Sequence, residues 1–164
     1  LSYSGGAASD HSVCVVLAST GPGSCHVLEV ARWRRPFGEA SERLHEISGR
    51  YPGAPMVSYA YGPEKGALLS LAQGDRPITV NPMKVASVGK FVRAQRSASA
   101  WNAGRVTIPQ DAPWARGFVR ELEQFSGSGT DSSDDQVDAF VAAFDVLCGA
   151  AELPERFTFG RRRC

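Results

Sequence analysis

Short valine-rich runs open the readable part of the chain. Val13 to Leu17 and Val27 to Arg34 have the β-branched enrichment of strands, and the turn-rich link Ser19-Thr20-Gly21-Pro22-Gly23 between them predicts an antiparallel hairpin. The period then lengthens. From Phe37 to Tyr51 the apolar residues Leu44 and Ile47 share one helical face while Glu39, Glu42, Arg43 and Arg50 lie elsewhere, and Pro52-Gly53 stops the helix. Met56 to Tyr61 predicts the next strand. Gly62-Pro63-Glu64-Lys65-Gly66 follows at once, then an apolar helix through Leu68, Leu69 and Leu71. Ile78 to Val80 predicts a brief strand, and Val88 to Ala103 a helix carrying Lys90, Arg93 and Arg96, with Gly104 suited to its C-terminal cap. Arg105 to Pro109 reads as extended, Pro113 to Phe125 as a helix with proline near its start, and Gly127 to Ser133 as a loop. In the last helix Val137, Phe140, Val141, Phe144 and Leu147 recur at helical spacing.

Strands that alternate with helices in this order predict an α/β fold, a mixed sheet with helices on both faces. A chain of 164 residues suits one domain with its own core. Residues 1–150 carry the patterned part. After Ala151 the periodicity stops, and 151–164 reads as a flexible basic tail ending Arg161-Arg162-Arg163-Cys164. Leu1-Ser2-Tyr3-Ser4-Gly5-Gly6 reads as the end of a strand entering a loop, so the first strand is expected to be truncated.

Composition narrows the classes. With 43% hydrophobic and 21% charged residues the chain is ordinary globular, neither disordered nor membrane-like. No apolar stretch approaches the roughly 18 to 20 residues that span a bilayer. Net charge is +1, so any nucleic-acid contact must come from local basic patches. Cys14, Cys25, Cys148 and Cys164 show no C-x-x-C spacing, and His11, His26 and His45 are scattered. A thiolate or histidine metal centre is not indicated.

Candidate chemistry lies at the start of the last helix. Asp134, Asp135 and Asp138 sit three and four residues apart on one side of its first turn. Adjacent carboxylates repel and raise one another's pKa unless a cation is shared among them. A second reading is helix capping, in which Ser132, Ser133 or Asp134 accepts a free backbone N–H and the other acids favour the positive end of the dipole.

Several blocks, in order, resemble one family. They are Ser9-Asp10-His11-Ser12-Val13, Leu28-Glu29-Val30-Ala31-Arg32, Tyr61-Gly62-Pro63-Glu64-Lys65-Gly66, Lys90-Phe91-Val92-Arg93-Ala94-Gln95, Trp101-Asn102-Ala103-Gly104-Arg105-Val106 ending in Pro109, and Asp134-Asp135-Gln136-Val137-Asp138-Ala139. Together they resemble the nuclease domain of the large terminase subunit of tailed bacteriophages and prophages, over nearly the whole chain to about residue 148. The resemblance implies an RNase H-like fold and a metal-dependent endonuclease that hydrolyses double-stranded DNA with low sequence specificity during DNA packaging. It implies two Mg²⁺ or Mn²⁺ ions held by hard carboxylate oxygens. Glu64, Asp135 and Asp138 correspond to the catalytic acids, and Asp134 joins them as a metal ligand. A further aspartate of the family falls immediately before Leu1. Asp10, beyond the glycine-containing loop, is its possible substitute, or a turn residue leading into Val13.

Lys65, Lys84, Lys90, Arg93, Arg96 and Arg105 are the candidate DNA-contacting cations, since cleavage without sequence preference needs phosphate neutralisation and little else. Trp101 and Trp114 read as packing anchors rather than base-stacking platforms. No Gly-x-x-x-x-Gly-Lys-Ser/Thr loop occurs, so the ATPase motor half of a terminase is expected to be absent. That ATPase domain, the portal and the small terminase subunit are the partners the resemblance implies, with the host bacterial cytoplasm as the place of action. Two other classes are carried forward: a catalytically silent RNase H-like module that binds DNA or docks onto the motor, and a small-molecule α/β enzyme.

Overall fold

The computed structural model describes residues 12–34, 36–59, 63–83, 89–128, 131 and 133–148. β1 (Ser12–Gly21) and β2 (Ser24–Trp33) form the expected antiparallel hairpin, and β5 (Val106–Thr107) adds to β2 in parallel, giving a mixed three-stranded sheet in the order β1-β2-β5. Between them in sequence come α1 (Phe37–Arg50), β3 (Met56–Tyr59), α2 (Pro63–Gln73), β4 (Val80–Met83) and α3 (Lys90–Asn102). α4 (Ala115–Gln124) and α5 (Asp135–Leu147) close the chain. β3 and β4 pair in parallel as a second sheet, with α2 as the crossover that a parallel pair requires.

The strand expected at Ile78 to Val80 begins two residues later. Ile78 instead donates its N–H to Leu71 O at 2.9 Å and buries its side chain beneath α2. Pro82 is tolerated because β4 is, among the described residues, an edge strand, where a missing N–H breaks no ladder.

Both faces of the hairpin are covered. Cys25, Val27 and Val30 of β2 face a core built with Ala100, Phe118, Phe140 and Phe144, against which Val15 and Leu17 pack. Cys14 and Trp33 face the opposite core of Leu44, Leu68, Leu71 and Ile78. Strict alternation could not put Val27 and Val30 on one side. The register shifts between Val16 and Leu17, where Leu28 is the extra residue of a bulge, and that bulge restores the pleat's parity. Leu28 itself is left outside.

Trp101, Trp114, Phe118, Phe140 and Phe144 meet mostly edge to face, with ring centroids 5.7 to 6.4 Å apart. Such contacts contribute about 0.5 to 1.5 kcal/mol each beyond burial. The tryptophans therefore act as packing anchors. No helix among the described residues is long and apolar enough to cross a membrane.

Candidate functional site

α5 brings the acidic cluster to the open end of the hairpin. Val13 pairs with Arg32, and Arg32 donates to Ser133 Oγ at 3.0 Å and lies 3.6 Å from Glu121 of α4. Glu121, buried to 7% exposure, accepts from the backbone N–H of Gln136 at 2.7 Å and from the Gln136 side-chain amide. The helix cap expected from Ser132, Ser133 or Asp134 thus comes from elsewhere. Asp134 occupies the N-cap position, but its side chain makes no capping bond; a carboxylate from a different helix supplies the acceptor. Ser132 lies outside the described residues.

The Asp134 carboxylate turns instead to α3. Lys90 Nζ lies 2.6 Å from Asp134 Oδ2 and 2.9 Å from Asp138 Oδ2, so one ammonium bridges two carboxylates. Arg93 lies 3.7 Å from the other oxygen of Asp138, with only 10% of its side chain exposed. Its guanidinium also stacks 5.2 Å from the ring centroid of Tyr59, at the end of β3, a favourable contact of a cation with a π-face. Further along α5, Arg96 of α3 reaches Cys148 O at 3.5 Å, and Asp145 feels both Arg96 and Arg93. α3 and α5 therefore run side by side, basic residues of one against acids of the other.

Burial tends to pull the Lys90 ammonium down, but its bonds to Asp134 and Asp138 outweigh this and hold its pKa above the ordinary lysine range. Burial raises the Asp145 carboxyl despite the two arginines. Tyr59 is pushed up to about 12, chiefly by burial and then by Asp145, with Arg93 opposing.

Asp135 and Asp138 line a cavity of about 300 Å³ that runs between β1, β3, α1 and α5. Asp134 is drawn toward Lys90. Among the described residues no three His, Cys, Asp or Glu side chains converge as a metal-ligand group. The donors that face the cavity are hard carboxylate oxygens, the kind that suits a hard divalent cation, and Asp135 and Asp138 fit such an ion in chemistry. Glu64 falls in the first turn of α2 by its backbone, on the segment that follows Tyr59; its side chain lies outside the described residues, as do Lys84, Asp10 and the tail 151–164.

The expected DNA-contacting cations fall into separate groups. Lys90 and Arg93 are engaged with the acids, Arg96 is exposed one turn further on, and Lys65 is exposed on α2. Arg105 stands elsewhere: its backbone C=O accepts from Cys25 and its guanidinium lies against Gly23, at the closed turn of the hairpin. Arg32 lies seven positions after Cys25 along β2, roughly 23 Å at about 3.3 Å per residue. His26 and His45 are occupied by protein partners, Thr107 Oγ1 for the first and the C=O groups of Ser41 and Arg76 for the second. Cys14, Cys25 and Cys148 are free thiols, and burial pushes Cys14 and Cys25 up to about 11.

Sequence reasoning missed Glu121 and Tyr59. Glu121 carried a usable signal: with Phe118, Leu122 and Phe125 it lies at helical spacing on the buried stripe of α4, where an acid is rare unless it has a structural partner.

No protein-family model matches the chain, and no curated protein matches it significantly in sequence. Among solved structures it is similar to the crystal structure of the large terminase nuclease from thermophilic phage G20c with bound zinc, at 22% identity and a TM-score of 0.58. The match covers 88% of this chain and 84% of that one. The described chain thus has the fold of a large terminase nuclease, an RNase H-like α/β fold with a mixed sheet and helices on both faces.

Proposed function

We propose that this chain is the nuclease domain of a DNA-packaging terminase, a metal-dependent endonuclease acting on double-stranded DNA with little sequence preference. The observation that carries the reading is the coincidence of that fold with Asp135 and Asp138 facing one cavity at the first turn of α5. Asp135 and Asp138, with Glu64 on α2, are the residues proposed to hold divalent cations. Two Mg²⁺ or Mn²⁺ ions bound there would supply an activated water and stabilise the leaving oxygen. The rest falls to the protein's own groups. Glu121 and Arg32 hold the start of α5 in place. Lys90 and Arg93 set the charge around Asp138 and stand within reach of a phosphate that approaches the same end. Partners in this reading are double-stranded DNA, a terminase ATPase domain, the portal and the small terminase subunit, in the bacterial cytoplasm.

The same geometry favours a second reading. Lys90 already bridges Asp134 and Asp138, so a silent DNA-binding module would keep its acids neutralised internally. Plasmid incubated with the protein and Mn²⁺ or Mg²⁺ separates the two. Nicking and linearisation that fall at least about a hundredfold in Asp135→Asn, about 2.7 kcal/mol, support the nuclease. Salt-dependent binding with no cleavage under either metal rejects it in favour of the silent module.

A further inference from the structure

One carboxylate oxygen has two claimants. Asp138 Oδ2 accepts from Lys90 Nζ at 2.9 Å, and the same ammonium lies 2.6 Å from Asp134 Oδ2. Arg93 stands 3.7 Å from the other oxygen of Asp138. Asp138 also borders the cavity together with Asp135, where the nuclease reading puts a divalent cation. An ammonium and a divalent ion held on one oxygen repel at close range, and a partly buried site screens that repulsion poorly. The start of α5 carries three acids against two cations from α3. A divalent ion added to that set makes it net positive; exchanged for the ammonium, it leaves the set neutral. The site therefore takes the ion in place of Lys90 rather than beside it.

Of these two cations, Lys90 is the one placed to leave. Its side chain is 40% exposed. It is the first residue of α3, preceded by Gly89, which has open space around it, and followed by the exposed Phe91 and Val92. A flexible four-carbon stem with a strongly hydrated head swings into water at little cost. Arg93 is 10% exposed and lies against the Tyr59 ring, so it stays. A released ammonium then meets phosphate, for which lysine is a common point-charge partner.

Resting on the nuclease reading, we propose that Lys90 is a displaceable counter-ion: in the free protein it holds the place of a divalent cation on Asp138, and it yields that place when a DNA phosphate takes the ammonium. Metal loading and DNA binding are thereby linked. Linkage is reciprocal, so DNA tightens metal binding and metal tightens DNA binding by one factor. The internal neutralisation of Asp134 and Asp138 is then a resting state, which keeps the site from loading away from its substrate.

The test uses the whole chain, Mn²⁺, and a short DNA duplex with phosphorothioate linkages, which keep the phosphate charge and resist cleavage. Calorimetry gives the Mn²⁺ affinity with and without the duplex. Lys90→Met is expected to bind Mn²⁺ at least about tenfold tighter than the parent when DNA is absent, and the tightening that the duplex causes is expected to be at least about fivefold smaller in that variant. Lys90→Gln replaces it should Lys90→Met lose the circular dichroism spectrum of the parent. A lysine that only adds charge nearby leaves the duplex effect unchanged on removal, and that result overturns the proposal. So does a Lys90 ammonium signal in nitrogen NMR, assigned by its loss in Lys90→Met, that stays unshifted at saturating Mg²⁺. If Mn²⁺ binds parent and variant equally, the metal reading stands and this proposal alone falls. If Mn²⁺ binds neither, with or without the duplex, the metal reading itself fails and the proposal falls with it.

Discussion

The two ends of α5 are made for different work. From its middle onward α5 sends Phe140 and Phe144 into the aromatic core with Phe118 and Trp101, next to the closed turn of the hairpin. Its N-terminal turn carries Asp134, Asp135 and Asp138, surrounded by Lys90, Arg93, Arg32 and Glu121. The first end is apolar and close-packed. The second spends charge on charge, in an arrangement whose net stabilisation is small because desolvation opposes attraction. A rigid apolar anchor thus lets the other end of the same helix hold like charges close together, which the acids alone would resist.

The comparison can be broken first at its anchor. Phe140→Ala is expected to cost about 3 to 5 kcal/mol, the range for a large aromatic removed from a core, read as a lower urea midpoint; a cost under about 1 kcal/mol would refute the anchoring role. Glu121→Ala comes next. It leaves the buried Gln136 N–H without its Glu121 acceptor and removes one carboxylate from beside Arg32, at about 2 to 4 kcal/mol. Glu121→Gln, which keeps one acceptor oxygen for the Gln136 N–H but replaces the other with a donor, should recover part of this. If both variants match the parent in urea titration, the cap is not structural.

Gly127 sharpens the picture of how α3 is placed. Its φ of +67° is left-handed, and a Cβ there would lie 2.6 Å from Phe91 Cβ, beside Lys90. Asp131 holds this loop by accepting from the N–H groups of Ser126 and Gly127. Gly127→Ala should cost about 1 to 3 kcal/mol and disturb the Lys90 bridge, seen as shifted NMR signals of Asp134 and Asp138. A neutral result would show that the loop yields without moving α3.

The smallest effect is on alkaline stability. Lys90 is raised by its acids and Tyr59 is pushed to about 12, mainly by burial. Both groups keep their protons in the folded chain after the unfolded chain has begun to lose them. Their contribution is complete below about pH 10, the unfolded range of both, and is lost as pH rises through the folded values. Urea midpoints measured across that window should fall, less steeply in Lys90→Met. An equal slope in that variant would remove Lys90 from the account.

The periodic elements were legible because their burial follows from local spacing. Leu44 and Ile47 in α1, and Val137, Phe140, Val141 and Phe144 in α5, mark faces that any packing of those helices must bury. The acid triplet in the first turn of α5 was legible for the same reason. Which partners those acids meet was not. Lys90 stands 44 residues before Asp134, and Glu121 stands 15 before Gln136; nothing in either segment names the other.

The order of residues by itself determined the strands, the helices, the hairpin and the acidic turn, since each depends on near neighbours and on which side chains avoid water. Only the tertiary structure decided that α3 neutralises two of the acids, that Glu121 caps their helix, that Arg105 stands far from them, and that β1 and β3 border one cavity with Asp135 and Asp138. Those outcomes depend on how separate elements cross, and a crossing is set by the sum of packing over the whole core rather than by any one segment.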